Sequence, residues 1–141
     1  MSETEGAIRV VEVPGWPAPK GYANGVVTGR TKTLYVAGQV GWDAEHRFPS
    51  LDLVQQFAQA LDNVLAVVRA AGGGPESVVK MTIYVTDLPA YRAAQRALDP
   101  VWRERFGRHF PAMALVGVAG LVEERALVEI EAVGALHEEA D

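Results

Sequence analysis

No cysteine occurs among the 141 residues, which excludes a disulfide framework, a thiol nucleophile and a thiolate metal site. Serine is nearly as scarce. Ser2, Ser50 and Ser77 fall in the N-terminal segment, at a helix cap and ahead of a strand, and none suggests a Ser-His-Asp arrangement. The histidines are His46, His109 and His137; they lack metal-ligand spacing such as HExxH and read as solvated surface side chains. No apolar run approaches the roughly 18 residues that a membrane span needs. Residues 1–6 are acidic and lack an apolar stretch, so they do not read as a secretory signal, and a cytoplasmic location without a membrane partner is expected. A net charge of −5, with no clustered Lys and Arg, argues against a nucleic-acid partner. No cofactor or metal is expected.

What is present is an apolar content of 49%, enough for a proper core at this length. One domain is expected over residues 7–136, with 1–6 disordered and 137–141 a tail. Part of the apolar content is available for a partner subunit to cover. Residues 8–13 read as a strand ended by Pro14-Gly15, and 16–21 as an extended loop. Residues 22–28 and 33–40 read as strands of one hairpin. Ser50 is placed as a helix N-cap, with Asp52 in the first turn. From there Val54, Phe57, Leu61, Val64, Leu65 and Val68 recur at three- and four-residue steps, an amphipathic helix. Gly72-Gly73-Gly74-Pro75 stops it; following a helix, this run is no phosphate loop. Residues 78–86 alternate as a strand. Asp87 caps a second helix, in which Pro100 predicts a kink or a restart at Asp99. Residues 110–118 and 126–133 read as two adjacent strands, a C-terminal hairpin. The order is βββαβαββ, an α+β fold with a mainly antiparallel sheet and two helices on one face.

In the last strand Val128, Ile130 and Ala132 point one way, and Leu127, Glu129, Glu131 and Val133 the other. Two carboxylates on an otherwise aliphatic face have two readings. They form a solvated edge that discourages strand pairing, or one of them overlooks a cleft as a general base. Spacing alone leaves both open.

Six segments in register resemble a known family. Gly21-Tyr22-Ala23-Asn24-Gly25-Val26 is similar to its GPYSQAV element, Val36-Ala37-Gly38-Gln39-Val40 to its SGQ strand, and Leu61-Asp62-Asn63 to its LxN signature. Ala70-Ala71-Gly72, the strand from Val79 to Asp87, and Phe110-Pro111-Ala112 followed by Val128-Glu129-Ile130-Glu131-Ala132 complete the set. Together they resemble the RidA (YjgF/YER057c/UK114) family over roughly residues 20–135. The resemblance implies a chorismate-mutase-like fold, a homotrimeric barrel with helices outside, and a small-molecule cleft at each subunit interface. In its deaminase branch the substrate is an imine or enamine derived from an amino acid, such as 2-aminoacrylate. An Arg grips the substrate carboxylate and a Glu positions water.

Residue by residue, the resemblance makes Glu129 the catalytic carboxylate. Tyr22, Ala37, Gly38, Gln95, Met113, Ala114 and Leu115 become substrate-binding positions. The departure is at Met113, which stands where the deaminase branch has its Arg; Ala114 and Ala37 replace hydroxyl side chains. A thioether cannot hold a carboxylate, so efficient hydrolysis of 2-aminoacrylate is not expected unless Arg105, Arg108 or Arg125 supplies a cation. The sequence therefore carries two principal readings, a RidA-like imine or enamine hydrolase with Glu129 as base, and a non-catalytic small-molecule binder or chaperone-like trimer. A ribonuclease reading is disfavoured by the acidic charge balance.

Overall fold

A computed structural model describes residues 8–138. The elements are β1 (Ile8–Val11), β2 (Gly25–Thr28), β3 (Thr31–Val40), α1 (Leu53–Ala70), a 3-10 turn (Pro75–Ser77), β4 (Val78–Val85), α2 (Leu88–Phe106), β5 (Ala112–Gly117) and β6 (Val128–His137). The expected order of strands and helices holds. The segment expected to be disordered, 1–6, lies outside the described residues, and so do 139–141 of the expected tail, whereas His137 belongs to β6.

Both expected hairpins are replaced by other pairings. β2 pairs antiparallel with β1 in a sheet of its own, while β3 pairs with β6 in a four-stranded sheet of order β3-β6-β4-β5. Of the named strands only β4 pairs with β5, in parallel, and β6 lies between β3 and β4. Burial explains the arrangement. β6 is ten residues long, and Val128, Ile130 and Ala132 are all buried, which suits a central strand. The six-residue β5 carries Ala114, Val116 and Gly117 exposed and suits an edge. A turn signal between two runs cannot say on which side of β4 the second one lands. The α2 crossover delivers β5 beside β4 as a parallel pair.

Both helices pack on one face of this sheet. α1 buries Phe57, Ala60, Leu61, Val64, Leu65 and Val68, and α2 buries Leu98, Trp102 and Phe106, all in one cluster with Met81, Ile83, Val85, Val128 and Ile130. The N-cap of α1 is Asp52, two residues after the expected Ser50. The Asp52 carboxylate accepts from Gln55 N–H at 3.1 Å, and the Ser50 hydroxyl accepts from Asp52 N–H at 2.9 Å. α2 runs unbroken through Pro100 from its expected cap at Asp87. Arg103 bridges back to Asp99 at 2.8 Å, and the Trp102 ring stacks on Phe106 at 4.2 Å, so side chains hold the turn that the proline weakens. Gly72, at φ +95°, follows the end of α1 and supports its helix-stop role.

Among the described residues Gln56 is the one long polar side chain fully inside. Its Nε2 donates to the carbonyl oxygens of Ser50 at 3.0 Å and Arg125 at 2.9 Å, and its Oε1 accepts from Leu127 N–H at 2.8 Å. These bonds tie the loop before α1 to the approach of β6. Gln56→Leu keeps the volume but orphans all three groups. The expected cost is about 2–4 kcal/mol, read as a lowered denaturant midpoint at fixed protein concentration, with no change in far-UV circular dichroism.

Candidate functional site

β6 presents two different faces, and among the described residues no helix covers the polar one. Register pairs Tyr84 with Glu129 and Thr82 with Glu131, while Met81 and Ile83 pair with the buried Ala132 and Ile130. Between Val36 and Gln39 the β3 register shifts, so that Ala37 and Gly38 stand opposite the single residue Glu131, a bulge. At this bulge the Glu129 side chain leans over bare backbone. A Cβ built on Gly38 would lie 2.5 Å from Glu129 Oε2 and 2.8 Å from its carboxyl carbon. The glycine is there for space, since its φ is unexceptional. The LxN signature also explains itself: Asn63 Nδ2 donates to the carbonyls of Val40 at 2.9 Å and Trp42 at 2.8 Å, pinning the end of β3 to α1.

Met113 and Leu115 lie on the other side. Their partners on β4 are Met81 and Ile83, and both pack against the helix-side core. Ala114 pairs with Thr82 and shares the open face with the carboxylates. A single chain therefore does not bring Met113 and Glu129 together. Met113 lines a cavity of about 230 Å³ together with Lys20, Tyr91, Gln95, Trp102 and Phe110. Tyr22 lines a separate cavity of about 400 Å³ with Trp16, Arg108 and His109. Next to Tyr22, Ala23 N–H donates to the Pro111 carbonyl at 2.9 Å and bridges Ala112, which seats the Gly21-Tyr22 element at the head of β5.

The three arginines considered as replacement cations differ. Arg105 is committed: it meets Asp62 at 2.7 and 3.2 Å and donates to the Val101 carbonyl, with only 18% of its side chain exposed. Arg108 stands in the Tyr22 cavity, and Arg125 sits by Glu123 and Glu124 in a surface hollow. Lys20, which was not among the candidates, is the cation on the Met113 cavity. No spacing in the sequence marks it; the turn at Gly21 brings it there.

Two further side chains escaped the sequence reading. Tyr84 donates its hydroxyl to Glu131 at 2.5 Å. That hydrogen bond, with desolvation and the charges of Glu131 and Glu129, raises the phenol pKa. His109 is half-buried rather than solvated. Its Nε2 meets the Val78 carbonyl oxygen at 2.6 Å; a carbonyl only accepts, so Nε2 carries the proton. Among the described residues no group of three or more His, Cys, Asp or Glu could hold a metal ion, and no helix is long and apolar enough to cross a membrane.

Comparison with known proteins gives one consistent result. The model of the family described as endoribonuclease L-PSP matches residues 16–136. A 2-iminobutanoate/2-iminopropanoate deaminase of Dermatophagoides farinae is 33% identical over 127 residues, covering 89% of this chain and 94% of that protein. The crystal structure of YyfB from Yersinia pestis, a protein of unknown function in the conserved Rid family, superposes with a TM-score of 0.80 at 33% identity, covering 92% of this chain and 98% of that one. The YjgF gene product of E. coli gives a TM-score of 0.66 at 31% identity, covering 90% and 98%.

Gly38→Ala should leave the chain folded at a cost of roughly 1–2 kcal/mol while forcing the Glu129 carboxylate off the bulge. Thermal denaturation reads the first effect and a crystal structure of the variant the second. Tyr84 supplies a pH test. Its folded pKa is raised above the unfolded value, so between the two the folded chain binds the proton that the unfolded chain has released. Its contribution is present in full below the ordinary phenol range and is lost as pH rises through the raised value. Alkaline urea melts should therefore fall more steeply for the wild type than for Tyr84→Phe, and Glu131→Gln should bring the phenolate absorbance step to lower pH.

Proposed function

The chain belongs to the RidA family, and from that premise we propose that it is a hydrolase that releases ammonia from a reactive imine or enamine. It works in a cleft completed by neighbouring copies in a homotrimer. The observation that carries the reading is the Glu129 carboxylate over the bare backbone of Gly38. A carboxylate at an open, glycine-floored notch has room beside it for a small electrophile and a water. In the reaction an enamine first takes its imine tautomer. Water adds through oxygen to the C=N carbon while Glu129 accepts its proton, and the resulting carboxylic acid returns that proton to nitrogen. That leaves a carbinolamine; the same carboxylate then takes its hydroxyl proton and delivers it to nitrogen, the C–N bond breaks, ammonia leaves and a carbonyl compound remains. Relatives named as imine deaminases favour this chemistry.

Tyr22, Ala37, Gly38, Gln95, Met113, Ala114 and Leu115 line the proposed cleft. Because Met113 and Glu129 face opposite sides of one sheet, a cleft that uses both is built from two copies. The uncovered sheet face supports such packing, with Tyr35 78% and Val116 40% exposed. Met113 removes the bidentate grip on a small carboxylate, and a buried carboxylate lacking a counter-ion costs several kcal/mol. Short amino-acid imines such as 2-aminoacrylate are therefore poor substrates.

Glu129→Gln is the test. Ammonia release from an imine generated in situ should drop by about two to four orders of magnitude, with the sedimentation coefficient of the assembly unchanged. Retained turnover would remove Glu129 from the mechanism. Saturable metabolite binding by a wild type that releases no ammonia would establish the non-catalytic binder instead.

A further inference from the structure

The Met113 cavity carries a cation, Lys20, that the proposed hydrolysis does not use. Phe57, Trp102 and Phe110 line this open hollow of about 230 Å³. A benzene molecule fits an apolar cavity of about 150 Å³, so a ring-sized body has room here with a polar arm beside it. At the mouth, the positive φ of +78° at Gly21 turns the chain between Lys20, on this cavity, and Tyr22, on the neighbouring one. Among the described residues Lys20 has no hydrogen bond or ion pair. Gln95 also lines the cavity and hydrogen-bonds Tyr91, whose phenol is half-buried. Asp99 is the one carboxylate on the lining, and Arg103 holds it at 2.8 Å, which offsets its repulsion of an anion.

We propose that this cavity binds an organic carboxylate with a bulky apolar body, the carboxylate held by Lys20 and the Gln95 amide, the body against Phe57, Trp102 and Phe110. The proposal rests on the hydrolase reading and names its substrate class: 2-imino acids with an aromatic or branched side chain. Lys20 takes over the ionic role that Met113 gave up, from another element. It anchors only ligands long enough to span the apolar wall, and so the cavity discriminates against 2-aminoacrylate. A lone ammonium grips less tightly than a two-pronged guanidinium, so the apolar body supplies the remaining affinity.

The probes are phenylpyruvate, the 2-oxo acid counterpart of such a substrate, and phenylacetone, the same body without the carboxylate. Calorimetric titration of the full chain should show phenylpyruvate weakened roughly ten- to hundredfold by Lys20→Gln and largely retained by Lys20→Arg. Phenylacetone affinity should be the same in all three. Phenylpyruvate binding Lys20→Gln as tightly as wild type would overturn the proposal, and so would a wild type that does not prefer it to phenylacetone. Ammonia release from the phenylalanine-derived imine separates this site from the reading beneath it. Turnover without the Lys20 binding contrast removes the site and leaves the hydrolase. The binding contrast without turnover removes the hydrolase and leaves the site.

Discussion

The pairing of β6 on both of its edges is the constraint on which the rest of the molecule depends. With β3 on one side and β4 on the other, the strand cannot rotate, and its alternation divides the sheet into two environments. Val128, Ile130 and Ala132 are fixed in the core under α1 and α2, and Glu129 and Glu131 are fixed opposite. Slipping the register by one residue would bury both carboxylates and expose the core. The position of the acid is thus secured by the burial of its neighbours. The bulge at Ala37-Gly38 then clears the space into which Glu129 leans.

The ionic arrangement differs from the one that the family resemblance implies. A carboxylate stands at the open face, and Met113, the position at which the resemblance implies a cation, lies on the opposite face. Arg105, the most buried of the alternative cations considered, is tied to Asp62 and to the helix backbone. Among the described residues Lys20, on the loop before β2, is the cation that shares a cavity with Met113. A charge on a loop reaches different ligands from one on a strand, so specificity can differ between chains that share one sheet.

Much of the fold was legible because local signals and tertiary demands agreed. The period of α1, the Asp87 cap and the two-faced alternation of β6 each needed no partner to be recognised. Strand pairing was not legible. The turn residues between β2 and β3 and between β5 and β6 permit a hairpin, but burial of the longest strands decided which edges met. Asp52 displaced Ser50 as the cap because the chain enters the helix two residues later, with Ser50 bonding Asp52 itself. At the site, Glu129, Gly38 and Met113 could be singled out from motifs. That Met113 faces away from Glu129 could not, since it follows from the parity of β5 against β4. Lys20 carried no periodic or spacing signal. Only the turn at Gly21 brings it to the cavity.

The most direct measurement is the rate of ammonia release by the wild-type protein across imines generated in situ by an amino-acid oxidase, with spontaneous hydrolysis subtracted. The account predicts clear acceleration for imines with aromatic or branched side chains and little for 2-aminoacrylate. No acceleration anywhere on such a series, or the greatest acceleration on 2-aminoacrylate, would contradict it.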